Sequence, residues 1–141
     1  MADTLSDTLP VPSLKRNVPY DIPFQGSNRK WLFLDSSGMI LSATAVNLAA
    51  KVDINARSAG TNLNRALQPV TLPILDWAER IFFLTEQSYN ELMELLQANQ
   101  YDKDKVLAKS TKLDITDEYF YLQPGLVFKL KELIPELGML P

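Results

Sequence analysis

The residues best placed to do chemistry follow the first strongly apolar segment of the chain. Asp35 ends the run WLFLD, and residues 36–40 lead into a helix-like pattern that begins near Ser42. A strand, a tight loop and a helix N-terminus in this order can hold a phosphate, because the loop N–H groups and the helix dipole point at the same place. The pattern therefore predicts an anion site whose first residue is itself a carboxylate.

A second group of candidate residues lies far along the chain, where Asp114, Asp117 and Glu118 are followed by Tyr119 and Tyr121. The 141 residues include neither Cys nor His, which excludes thiolate nucleophiles, imidazole bases and Cys/His zinc sites. Carboxylates, hydroxyls, lysines and backbone groups remain for any chemistry.

The composition narrows the classes of partner. The net charge of -3 argues against general nucleic-acid or anionic-membrane binding, which needs clustered Lys and Arg. No apolar stretch approaches the roughly 20 residues that cross a bilayer. The N-terminal residues lack the basic start and apolar centre of a signal peptide, so we expect a cytoplasmic protein.

The elements that position these residues form one domain, predicted over residues 29–141, after an N-terminal extension over residues 1–28. The extension contains four of the nine prolines, which fits neither a helix nor a central strand. Within it, Tyr20, Ile22 and Phe24 alternate with polar or proline positions. They predict either an extended arm that docks on the body or on a partner, or a loosely tethered tail.

The domain alternates strand and helix patterns. We predict strands at 31–34, 54–58, 81–84 and 112–115. We predict one helix at 42–52, a second from Pro73, a third that follows a cap at Thr85 or Ser88, and a fourth from Pro124 to about 137. A charged loop is predicted at 102–105. This alternation is typical of a three-layer α/β/α protein with a parallel sheet between two helix layers.

Four segments, taken in order, resemble the low-molecular-weight protein tyrosine phosphatase superfamily, especially its short predicted bacterial members. They are LFLDSSGMILSATA at 32–45, ARSAGT at 56–61, LDWAERIFFLTEQSYNEL at 75–92 and LDITDEYFYLQPGL at 113–126. The resemblance implies a four-stranded parallel sheet in the order 2-1-3-4.

The departures from this family bear on function. The resemblance places the attacking cysteine at Asp35, the phosphate-clamping arginine at Leu41 and another frequent arginine at Met39. It also places at Ser42 a serine that lowers the thiol pKa in the family. A phosphate dianion about 4 Å from Asp35 would be repelled by about 8 kcal/mol at an effective dielectric of 20. A helix dipole worth about 1–2 kcal/mol does not offset that repulsion. A cysteine-phosphatase mechanism is excluded, and we expect no phosphate ligand.

The acidic segment corresponds to the family loop that supplies the general acid. Without a working nucleophile, Asp114 and Asp117 are expected to serve the structure, for example by accepting backbone N–H bonds. Tyr119 and Tyr121 are interpreted either as aromatics at a pocket rim or as packing residues.

We therefore predict a non-catalytic module that binds a protein partner or itself, with no cofactor. Apolar residues stand at 39–41, where the family loop carries arginines, and exposed apolar residues at a rim favour contact with a partner. The same residues are also compatible with filling the vacated pocket from inside. The predicted binding residues are Ser36, Ser37, Gly38, Met39, Ile40, Leu41, Tyr119 and Tyr121.

Two alternatives stay open. The first is a Mg²⁺-dependent phosphatase that resembles the haloacid-dehalogenase superfamily, with Asp35 as a covalent nucleophile and Thr85 ending strand three. In it Lys109 or Lys112 would stabilise charge and Asp114 with Asp117 would bind the metal, but Ser37 stands where a second aspartate is expected. The other alternative is a non-catalytic divalent-cation site built from Asp35, Asp114 and Asp117.

Overall fold

The computed structural model describes residues 29–116 and 118–139. The extension over residues 1–28, with its predicted arm, and Asp117 lie outside the described residues. In chain order the elements are β1 (Lys30–Asp35), α1 (Leu41–Lys51), β2 (Asn55–Gly60), α2 (Leu72–Trp77), β3 (Arg80–Phe83), α3 (Glu86–Ala98), α4 (Lys103–Leu107), β4 (Ser110–Lys112), α5 (Pro124–Leu133) and a 3-10 helix (Pro135–Gly138).

The strands form one parallel sheet in the order β2-β1-β3-β4. Trp31 on the central strand is paired with Ala56 on one side and with Arg80 on the other. The predicted fold class and strand order are confirmed.

The core lies on both faces of the sheet because successive side chains of a strand point in opposite directions. Trp31 and Phe33 belong to the cluster under α1 and α5, and Leu32 and Leu34 belong to the cluster under α2 and α3. Both faces of β1 are therefore buried, which explains its continuous apolar sequence.

Helix starts follow local chemistry. The Thr85 side chain accepts the N–H of Ser88 at 3.0 Å, and the Ser88 hydroxyl in turn accepts the Thr85 N–H, a capping box that confirms the predicted start of α3. Pro73 lies in the first turn of α2, as predicted.

Three predictions of element type or extent are wrong, and the remaining predicted bounds agree with the structure to within two residues. Residues 102–105 are not a loop, because the Asp102 carboxylate accepts the N–H groups of Asp104 at 3.0 Å and Lys105 at 3.4 Å and thereby begins α4. Strand four spans Ser110–Lys112 rather than 112–115. The last helix stops at Leu133, because the residue before Pro135 is disfavoured in helical conformation, and a 3-10 helix follows.

No helix in the described ranges 29–116 and 118–139 is long and apolar enough to cross a membrane.

Candidate functional site

The loop between β1 and α1, residues 36–40, lies against the carboxyl end of β2. Gly38 has φ +75°, and a Cβ there would lie 2.8 Å from the backbone nitrogen of Gly60. A Cβ on Gly60 would lie 2.8 Å from the Ser36 carbonyl oxygen. Two glycines from different segments therefore permit a close backbone contact that any side chain would prevent. The resemblance segments at 32–45 and 56–61 meet at this point.

Asp35 directs its carboxylate back into this loop. The side chain is only 4% exposed; one oxygen accepts the N–H of Gly38, and the other accepts the N–H of Ser42 at 3.0 Å. Ser42 lies in the first turn of α1, whose N-cap residue Ile40 provides no side-chain acceptor. The carboxylate of Asp35 therefore takes the position of an anion at the helix N-terminus, where the dipole favours negative charge.

Glu91, on α3, connects the β1–α1 loop to the residue that follows β2. Its carboxylate accepts the Ser36 hydroxyl at 3.0 Å and the Thr61 hydroxyl at 2.7 Å. The Thr61 N–H also donates to the Asp35 carbonyl at 3.0 Å. The sequence gives no signal for this role, since Glu91 resembles any glutamate beside a buried leucine on an amphipathic helix.

Ser42 is fully buried, and its hydroxyl oxygen has no hydrogen-bond partner among the described residues. The resemblance places here the serine that assists the thiol in the family. The Asp35 carboxylate, at the position of that thiol, is bound by backbone N–H groups and does not accept a hydrogen bond from the Ser42 hydroxyl among the described residues.

A cleft of about 290 Å³ opens beside the loop. It brings together Asp35 and Asp114, which the sequence predicted for one site, and adds Arg65, which lies on an exposed stretch of the β2–α2 connection. The described lining is completed by Ser36, Ser37, Thr85, Glu86, Gln87, Ile115 and Thr116.

The three apolar residues at 39–41 separate. Met39 is 47% exposed, Ile40 is partly buried against the core, and Leu41 is completely buried. The structure thus places Leu41 inside the core under α1 and leaves Met39 on the surface.

The two tyrosines predicted for the site differ in burial. Tyr119 packs partly buried against the core, and Tyr121 is 51% exposed. Neither belongs to the described lining of the cleft.

The described residues contain no group of three or more acidic side chains arranged to hold a metal ion. Asp117, a member of the predicted metal set, lies outside the described residues. Lys109 lies elsewhere: its ammonium group donates to the carbonyls of Leu75 at 2.7 Å and Ala78 at 2.6 Å, where burial lowers its pKa. Lys112 pairs with Glu86 of the cleft lining at 2.9 Å.

A parallel sheet in the order 2-1-3-4, with a glycine-containing loop between the first strand and a helix N-terminus, defines the low-molecular-weight protein tyrosine phosphatase fold. This chain has that fold. A crystal structure of a YwlE mutant from Bacillus subtilis is similar over 79% of this chain and 97% of that one, with TM-score 0.58 and 15% identity.

A second structure, of a YwlE arginine phosphatase mutant with a phosphorylated active-site serine, covers 77% of this chain and 93% of that one. Its TM-score is 0.53 and its identity 17%. No protein-family model matches the sequence, and no curated protein matches it. At these identities the likeness establishes the fold.

Proposed function

We propose that this chain is a non-catalytic protein with a phosphatase fold that acts as a protein-interaction or regulatory module. The observation that carries the proposal is the position of the Asp35 carboxylate, which accepts N–H bonds from Gly38 and Ser42. These are the loop and helix donors that a bound phosphate would need.

Electrostatics supports the same conclusion. A phosphate in the loop would have to displace Asp35 or remain about 4 Å from it, at a cost of about 4 kcal/mol per charge pair at an effective dielectric of 20. Leu41, at the position where the resemblance implies a clamping arginine, is buried and apolar. The chain also has no cysteine to act as a nucleophile.

Exposed apolar side chains support an interaction role. Met39 lies at the loop, and a second group follows the acidic segment, where Phe120 is 76% and Tyr121 is 51% exposed. Phe128 on α5 is 69% exposed. Large aromatic side chains of this kind are enriched in protein interfaces. The partner is then a protein or a second copy of the chain, and a cytoplasmic location stays a prediction from the sequence.

One observation favours the alternative of a Mg²⁺-dependent aspartate phosphatase: Asp35, Thr85 and Asp114 line one cleft. Two observations oppose it. Both carboxylate oxygens of Asp35 are held by backbone N–H groups, which reduces their nucleophilicity, and Lys109 is bound to the carbonyls of Leu75 and Ala78.

The test is a turnover assay on the full chain with p-nitrophenyl phosphate and with phosphoarginine, each with and without Mg²⁺. The matched control is Asp35→Asn. We expect both proteins to show the same background rate under all conditions. Metal-dependent turnover that disappears in Asp35→Asn would overturn the proposal in favour of the aspartate phosphatase.

The interaction part is tested by light scattering after size exclusion, over a range of protein concentrations. We expect concentration-dependent self-association that weakens in Phe120→Ser and not in Lys103→Ser, an exposed position on α4. Identical masses for the native chain and Phe120→Ser at all concentrations would exclude this surface as the self-association site.

A further inference from the structure

A second cavity, here called the groove, shares no described lining residue with the cleft. It has a volume of about 460 Å³ and is formed by the C-terminal end of α1, one side of α5 and the end of the 3-10 helix. Its described lining is Leu48, Lys51, Val52, Leu122, Val127, Lys131, Leu137, Gly138 and Met139. This volume lies in the range of about 300–1,000 Å³ that binds compact ligands.

The groove presents apolar side chains to its surroundings. Met139 is 58% exposed and Leu122 is 38% exposed. Leu122 also has φ +59°, a left-handed conformation that costs a leucine about 1 kcal/mol or more. Strained residues of this kind persist where the surrounding structure requires them, and often at binding sites.

The described part of the chain begins beside the groove. The Arg29 guanidinium donates to the carbonyl of Val52, a lining residue, at 3.2 Å. The Arg29 carbonyl accepts the N–H of Asn55 at 3.0 Å, which fixes the direction of the backbone there. At about 3.3–3.6 Å per residue, the five residue steps from Phe24 to Arg29 span at most about 18 Å. The groove is therefore within reach of the residues that precede Arg29.

The chemistry of that preceding segment suits the groove. Pro19 and Pro23 disfavour a helix in this sequence, and Tyr20, Ile22 and Phe24 alternate so that they would share one face of an extended segment. Asp21 is the one charged residue between 18 and 28. The groove lining supplies the opposite charge through Lys51 and Lys131.

We propose that residues 20–24 bind in the groove of their own chain, with Phe24 and Ile22 against its apolar wall and Asp21 near the rim lysines. A short tether raises the effective concentration of such a segment to the millimolar range, so a contact that is weak between separate molecules becomes well occupied. The binding closes the apolar surface around Leu122 and Met139. It does not depend on the function proposed for the cleft.

Because the chain has no cysteine, the proposal can be tested by disulfide trapping. One variant combines Gln25→Cys with Met139→Cys, which leaves the three apolar residues of the segment unchanged. The control combines Gln25→Cys with Leu67→Cys. Leu67 is 78% exposed and adjoins Gln68, whose carbonyl accepts the Gly60 N–H at the carboxyl end of β2. Both are oxidised in a glutathione buffer, and the products are separated without reductant.

We expect the groove pair to close at least about tenfold faster than the control pair and to give a cross-linked monomer. Adding Phe24→Asp to the groove pair should reduce its rate to that of the control. In concentrated guanidinium chloride the preference should reverse, since 25 and 67 are closer in sequence than 25 and 139.

Three results would overturn the proposal. They are equal rates for the two pairs in the folded protein, a rate for the groove pair that Phe24→Asp does not change, and a cross-linked dimer as the main product. A dimer would assign the groove to the segment of a second copy. Circular dichroism of each variant establishes that it is folded before the rates are compared.

Discussion

Replacing Asp35 by asparagine tests the central interaction of the β1–α1 loop with almost no change in side-chain shape. The native carboxylate accepts from two N–H groups, those of Gly38 and Ser42. Asparagine keeps one acceptor oxygen and presents an amide NH₂ group in place of the other. One backbone N–H then faces a donor, and the negative charge at the N-terminus of α1 is removed.

The magnitude follows from these two losses. A hydrogen bond to a charged group contributes about 1.5–3 kcal/mol, and a buried donor without an acceptor costs about 1–3 kcal/mol. Because Gly38 is partly exposed, water can satisfy part of its demand. We therefore expect Asp35→Asn to lower the free energy of unfolding by about 3 kcal/mol, toward the lower end of that sum.

The measurement is urea unfolding followed by circular dichroism and by fluorescence of the buried Trp31. With a slope of about 2 kcal/mol per molar urea, the midpoint should fall by about 1.5 M. Asp114→Asn is the control: that carboxylate is exposed and lines the same cleft, and its substitution should change the free energy by less than about 0.5 kcal/mol.

A phosphate titration of Asp35→Ala extends the test. Removing the carboxylate frees the loop donors, so inorganic phosphate should raise the melting temperature of this variant while leaving the native chain unchanged. Two results would refute the reasoning: an Asp35→Asn variant as stable as the native chain, or a native chain that phosphate stabilises as much as it does Asp35→Ala.

Three further predictions concern the stability of the fold. Gly60→Ala places a Cβ 2.5 Å from the nearest side-chain atom and should cost at least about 2 kcal/mol in urea unfolding. Gly125→Ala in α5, whose Cβ would lie 3.6 Å from the Tyr119 ring, should stabilise slightly. At Leu122, glycine should be more stable than alanine by about 1 kcal/mol because φ is +59° there; an alanine variant equal to or better than glycine in thermal melting would contradict this. Burial opposes ionisation of Asp76, but the hydrogen bond from Tyr101 and the ammonium of Lys105 at 3.2 Å outweigh it and lower its pKa. The stability it contributes is present above about pH 4 and is lost as pH falls through the lower folded pKa, so the gap between the native chain and Asp76→Asn should close in acid unfolding curves.

The architecture was predictable because apolar periodicity and capping chemistry agree along most of the chain. The apolar runs at β1 and β3 indicated strands, and Thr85, one of the two predicted caps, begins α3. The errors fall where signals were local and short. Asp102 is an N-cap as well as a member of a charged run, and composition alone does not separate the two.

The candidate site was predictable in position and not in detail. The sequence analysis grouped Asp35 with Asp114 in one candidate site, and both line the cleft. It did not indicate the direction of the Asp35 carboxylate, the burial of Leu41 beside the exposed Met39, or the bonds made by Glu91. These depend on tertiary contacts between segments distant in the chain, to which single-residue patterns are insensitive.

The hydrogen bonds that Glu91 accepts from Ser36 and Thr61 have a consequence for the conformation of the loop at the protein surface. Because side chains of the protein itself hold this loop, we expect its conformation not to depend on the concentration of inorganic phosphate. If the proposed interaction role is right, a partner would therefore meet the same loop conformation at low and at high phosphate concentration.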